Sequence, residues 1–155
     1  MKLRLRHLRL RAVTDGGIYG VDIGFGRGLT IVWADNTKGK STCMQGMLYA
    51  LGMERMLSPS RGVPLPRAMT TYLTTDSGEE HKVLESNVSL EIENGAEQII
   101  TVTRPIKSIV DHRLVTVEFG AALTNETATL QKREFFVRDP GAASREDGQG
   151  CLVLL

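Results

Sequence analysis

The chemistry most legible in this sequence sits in eight consecutive residues, Ala34-Asp35-Asn36-Thr37-Lys38-Gly39-Lys40-Ser41. They match the phosphate-loop spacing: Gly or Ala, four residues, then Gly-Lys-Ser/Thr. A tight loop between a strand and a helix turns successive backbone N–H groups inward, and the helix N-terminus adds partial positive charge, so together they cradle an anion. In that arrangement Lys40 reaches the β- and γ-phosphates and the Ser41 hydroxyl is a magnesium ligand. Gly39 lets the backbone come close to the phosphates. The candidate cofactors are ATP and Mg2+, and the candidate binding residues are Asp35, Asn36, Thr37, Lys38, Gly39, Lys40, Ser41 and Thr42. Ala34 stands at the first glycine position, where a positive φ would cost about 1 kcal/mol.

The flanking residues supply the elements such a loop needs. Leu29-Thr30-Ile31-Val32-Trp33 is a mostly apolar run that predicts a strand buried on both faces. From Lys40 to Leu51 the residues Cys43, Met44, Met47, Leu48 and Leu51 recur at helical spacing, and Gly52 is placed to stop the helix. Met44, Met47, Met53 and Met56 are expected in the core as gap-fillers. Upstream, Leu3 and Leu5 alternate with Lys2, Arg4 and Arg6. After His7 the phase slips, and Leu8 and Leu10 alternate with Arg9 and Arg11, which predicts a β-bulge at Arg6–His7. Gly20–Phe25 reads as a second strand. Downstream, Val88, Leu90 and Ile92 alternate toward Asn94-Gly95, with Ile99–Thr103 beyond, and this pattern predicts a hairpin. A two-residue turn there sets Leu90 opposite Ile99. Val115, Val117 and Phe119 supply a further strand.

The lead-in Gly28-Leu29-Thr30-Ile31-Val32, then Asn36, Gly39-Lys40-Ser41-Thr42 and the helix end Leu48-Tyr49-Ala50-Leu51-Gly52 resemble the N-terminal lobe of the SMC/RecF/RecN/SbcC ATPases, of the ABC class. The resemblance covers residues 1 to about 120 and is strongest from 20 to 52. Asn36 is kept, whereas Ala34 and Thr37 replace two glycines of the family's loop. The resemblance implies an α+β P-loop NTPase fold, with a mixed sheet and one P-loop helix followed by an antiparallel β-subdomain. On that basis the chain divides into 1–57 (strands, loop and helix), 58–82 (a crossing segment), 83–137 (the antiparallel region) and 138–155 (an irregular tail). It further implies an ATP-binding half-site that hydrolyses ATP only with a C-terminal lobe and a second head, in DNA repair, chromosome maintenance or defence. DNA would be met through the complete complex. The family's signature motif, Walker B strand and switch histidine have no counterpart after Phe119. The sequence therefore reads as a head cut short, with Gln149 a Q-loop candidate only by default and no catalytic residue assigned.

Composition narrows the other classes. At 41% hydrophobic and 24% charged, the 155 residues read as one core-forming globular unit. A net charge of +1 excludes a globally basic nucleic-acid binder. Locally, residues 1–13 carry +5 and residues 76–97 carry −6, so the arginines are expected on a solvated strand face or paired with the acidic stretch. Cys43 and Cys151 form neither a disulfide framework nor a zinc spacing, and His7, His81 and His112 are scattered. No apolar run nears the ~18 residues of a membrane span and no signal peptide is present, so the sequence reads as cytoplasmic with no membrane partner. Two alternatives stand beside the ATPase half: a degenerate, non-enzymatic relic, and a P-loop kinase-type domain. The latter is disfavoured by the strands that precede the loop.

Overall fold

A computed structural model describes residues 3–35, 39–58, 63–125 and 129–137. The strands are β1 (Arg4–Thr14), β2 (Gly17–Gly24), β3 (Tyr72–Thr74), β4 (Glu80–Glu93), β5 (Ile99–Lys107), β6 (Leu114–Glu118) and β7 (Lys132–Phe136). The helices are α1 (Lys40–Ala50) and the short α2 (Arg67–Thr70), with a 3-10 turn at Glu54–Met56. The strands form one sheet in the order β2-β1-β4-β5-β6-β7, with β3 paired to the outer part of β4. Every neighbouring pair is antiparallel.

The β1 bulge lies where the phase slip places it. Leu5 pairs with Ile92 and His7 with Glu91, so Arg6 is the extra residue. Beyond it, Leu8, Leu10 and Ala12 point into the core. The displaced Arg6 turns across β4, donating from Nε to Glu91 (3.0 Å) and from Nη1 to Glu93 (2.7 Å), while Arg4 donates to Glu93 at 3.2 Å. Glu91 is fully buried and also accepts from the Thr124 hydroxyl at 3.1 Å. The basic N-terminus and the acidic stretch are therefore cross-strand partners. The Arg6 hydrogen bond holds the Glu93 carboxyl below its ordinary range.

One face of the sheet carries Leu8, Leu10, Val88, Leu90, Ile92, Val102, Val115 and Val117, and α1 covers it with Cys43, Tyr49 and Ala50. Gly46 permits this packing, since a Cβ there would stand 2.8 Å from Leu10 Cδ2. Gly52, at φ 74°, ends the helix as its position predicts. Met53 N–H reaches back to Leu48 C=O (2.8 Å) and Gly52 N–H to Tyr49 C=O (3.0 Å), the paired bonds of a Schellman ending.

Several expectations are corrected. The α+β P-loop NTPase fold with a mixed sheet is overturned: strand accounts for 44% of the described residues against 14% helix, and no strand pair is parallel. The physical cause lies at Leu29–Trp33. This run is not a strand buried on two faces but an unpaired, exposed segment, with Leu29 89%, Ile31 78% and Trp33 85% exposed. Without it as a central strand, the sheet is built from the β1–β2 hairpin joined through the long-range β1–β4 pairing to the β4–β7 meander. The Asn94-Gly95 hairpin exists with a longer loop: Glu93 pairs with Ile99 and Leu90 with Val102, not Ile99. Asn94 Oδ1 accepts from the N–H groups of Ala96 (2.9 Å) and Gln98 (3.0 Å), and the left-handed residue is Glu97, at φ 59°. The methionines are corrected too. The buried stripe of α1 runs through Cys43, Gly46, Tyr49 and Ala50, so Met44, about 100° further round, faces outward. Met53 and Met56 are exposed as well, and only Met47 packs on the core.

The helix is tied to the sheet by Arg104 on β5, which has no exposed surface. Its guanidinium stacks 3.9 Å from the Tyr49 ring centroid and donates to the Tyr49 C=O (2.5 Å), the Glu54 carboxylate (3.1 Å) and the His112 C=O (3.1 Å). Truncation at Arg104→Ala strands the Glu54 carboxylate, and urea denaturation should show a loss of ~3–5 kcal/mol. Burial pushes the Tyr49 phenol up to about 12, partly opposed by Arg104. Because the folded state holds that proton more tightly, its stabilisation is complete below pH 10 and is lost as pH rises toward about 12. Alkaline denaturation of wild type and Tyr49→Phe should differ in slope within that window, and parallel curves would refute the assignment.

Candidate functional site

The candidate loop projects from the N-terminus of α1. Gly39 is the N-cap residue, at φ 84° and ψ 9°, and its C=O accepts the Cys43 N–H at 3.0 Å. That left-handed conformation suits glycine and reverses the chain into the helix. No side chain caps this end, and no acidic residue lies in the first turn. Among the described residues, the first N–H donors of the helix, normally satisfied by a Ser, Asp or carboxylate cap, have no side-chain acceptor. A Cβ built on Gly39 meets nothing within 4 Å, so the space beside these donors is open.

Lys40 turns back along the loop rather than outward. Its ammonium donates to the backbone C=O of Ala34 and, at 2.8 Å, to that of Asp35. One side chain therefore joins the first residue of α1 to the backbone of Ala34 and Asp35. Ser41 is exposed beside it and Thr42 is half-buried. The structure thus brings Ala34, Asp35, Gly39, Lys40, Ser41 and Thr42 together at one helix end. Asn36, Thr37 and Lys38 lie outside the described residues, as do Gln149 and Cys151.

This donor set fits a polyphosphate with a divalent cation: orphaned amides, an ammonium held only by neutral carbonyls, and a hydroxyl one residue on. Ser41 would hold Mg2+ and Lys40 the terminal phosphates. The larger cleft, about 450 Å³, is lined by Arg4, Phe25, Arg27, Thr30, Glu93 and Asn94 and shares no residue with 34–42. A smaller hollow of about 230 Å³ lies over β1 and β2.

The histidines take other duties. His7 meets Asp22, and His81 stacks on Tyr19 at 5.6 Å and sits 3.6 Å from Asp15. Among the described residues, no group of three or more His, Cys, Asp or Glu could hold a metal. No helix of the described residues is long and apolar enough to cross a membrane. Sequence reasoning missed Arg104, although its position carried a signal. Ile100, Val102, Arg104 and Ile106 share one parity on β5, so an arginine stands in an apolar row.

Replacing Gly39 tests backbone conformation apart from sterics, because the space around it is empty. Gly39→Ala should lower thermal stability by about 1 kcal/mol and Gly39→Asn by less, measured by calorimetry. Equal stability of all three proteins would remove the left-handed turn. Comparison of the chain with family models, with curated proteins and with solved structures gives no match.

Proposed function

We propose that residues 34–42 bind the triphosphate of Mg-ATP, and that the chain acts as the ATP-binding half of an SMC/SbcC-like ATPase. The observation that carries this reading is Lys40, folded onto the carbonyls of Ala34 and Asp35 above an uncapped helix end. Exchanging two neutral acceptors for phosphate oxygens replaces ion–dipole bonds with charge-assisted ones, which favours release of the lysine to the ligand. The amides from Gly39 to Thr42 then take phosphate oxygens, and Ser41 supplies the cation with a hydroxyl ligand. The bound cation's contribution is to neutralise charge on the β- and γ-phosphates.

Turnover needs more than this seat. Phosphoryl transfer depends on an aligned water and a water-excluded site, and the open face over α1 offers neither. The exposed apolar run Leu29–Trp33 beside the loop supports a completing partner, either a C-terminal lobe or a second head. Such a partner would cover that run and close the site. Within that assembly the work would be DNA repair, chromosome maintenance or defence, with DNA contacted by the whole complex.

Isothermal titration should show saturable Mg-ATP binding by wild type and at least ~100-fold weaker binding by Lys40→Ala, a difference of ~2.7 kcal/mol. Ser41→Ala should lose the magnesium dependence of binding. Neither wild type nor variant should release phosphate alone. Equal affinity of wild type and Lys40→Ala would leave the relic reading in place, and turnover by the isolated chain would overturn the half-site.

A further inference from the structure

The two ends of the sheet are built differently. The β7 edge carries Lys132, Arg133 and Glu134, the kind of charged strand that keeps an edge from pairing. The β2 edge, Gly-Ile-Tyr-Gly-Val-Asp-Ile-Gly, holds neither lysine nor proline. Its one charge, Asp22, lies on the sheet face, where Arg9 donates to it at 2.6 Å and His7 meets it, and its carboxylate stays 45% exposed with lone pairs to spare. Ile18 and Val21 are exposed on this edge, at 66% and 36%. Among the described residues β2 pairs with β1 alone.

We propose that this edge pairs with the same edge of a second copy of the chain, forming a two-fold dimer with one continuous sheet. The backbone dictates the register. Phe25 N–H donates to Arg6 C=O (2.8 Å), so the odd-numbered residues of β2 turn their peptide groups toward β1. The even-numbered ones, Ile18, Gly20, Asp22 and Gly24, therefore present N–H and C=O to the outside. Two identical antiparallel edges related by a two-fold axis keep both faces of the sheet. Outward-pointing residues must then pair with outward-pointing residues.

The register that places Val21 on the axis satisfies this: Gly20 faces the partner's Asp22, and Ile18 faces the partner's Gly24. On the helix side of the sheet, Val21 meets its copy and Tyr19 meets the partner's Ile23, all apolar pairs of the kind that stabilise adjacent strands. On the other face the same register answers an unpaired charge. Arg11 lies beside Gly20 on β1, is exposed, and makes no ion pair among the described residues. Because Gly20 has no side chain, Arg11 can reach over it to the partner's Asp22, two strand spacings or ~9.6 Å away. The symmetric contact forms twice. That charge complementarity is what selects a second copy over a foreign strand. Pairing along one eight-residue edge buries less than the ~1,200 Å² of a standard stable interface, so the dimer should be in dynamic equilibrium with monomer.

Sedimentation velocity over a concentration series tests this, with far-UV circular dichroism confirming the fold of each variant. Wild type should shift reversibly from 17.0 kDa to twice that mass as concentration rises. Val21→Lys should weaken dimerisation at least ~10-fold by placing like charges on the axis. Arg11→Ala should weaken it and remove its salt sensitivity. Mixing Val21→Lys with Val21→Glu should restore a dimer from two monomeric proteins, which no loss of folding could imitate. A wild type that stays monomeric at every concentration overturns the proposal, whether its edge is covered by another segment or takes a foreign strand. So does a dimer that Val21→Lys and Arg11→Ala leave unchanged.

Discussion

A single buried guanidinium organises this molecule. Arg104 sits on the apolar face of β5 with no exposed surface, stacked on Tyr49 and bonded to the Tyr49 carbonyl near the end of α1, to Glu54 and to the chain at His112. A charge there would be prohibitive without partners. Those it has come from three separate elements, so satisfying it holds all three in one arrangement. Its Nε remains without a partner, a loss of ~1–3 kcal/mol that the ring stacking helps offset. The cation also lies at the negative end of the helix, where the macrodipole favours it. With its C-terminus locked by Arg104 and by the Gly52 reversal, α1 has one way to lie on the sheet. Its uncapped N-terminus must then project outward with Gly39 and Lys40.

The functional reading depends on this geometry more than on fold class. The antiparallel sheet carries α1 on one face, and among the described residues the N-terminal end of α1 has no side-chain cap. The neighbouring run Leu29–Trp33 exposes three large side chains on alternating positions, a pattern that costs free energy in water and is relieved when another surface covers it. The proposed phosphate site and the exposed apolar run Leu29–Trp33 beside it suit a site that is finished by something else. The second incomplete feature, the unguarded β2 edge, is on the far side of β1 from β4 and follows from a different part of the sequence.

Several features were legible from residue order because one local force decided them. The phase slip in the N-terminal alternation placed the bulge at Arg6. Gly52 marked the helix end, and the opposite charges of the two segments foretold the Arg6–Glu91 and Arg4–Glu93 pairs. Where two forces competed, the reading went astray. Asn94 could have entered a tight turn, but its side chain captured the amides of Ala96 and Gln98 and lengthened the loop. Helical spacing named both Met44 and Met47 as core, yet the buried stripe is centred on Cys43, Gly46 and Ala50, which leaves Met44 beyond its edge. Leu29–Trp33 has the composition of a buried strand, but burial also requires neighbours to pair with, and composition says nothing of those. At the candidate site, Lys40 and Ser41 were plain from spacing. Arg104 was visible only as a charge at an apolar position.

The central proposal is that the start of α1, with Gly39, Lys40 and Ser41, receives phosphate, and amide NMR during titration with Mg-ATP tests it most directly. The backbone amides of Gly39, Lys40, Ser41 and Thr42 should move together and saturate at one affinity, while those of β4 and β5 stay in place. Shifts confined to the Arg27 cleft, or none in the first turn of α1 at saturating nucleotide, would contradict it.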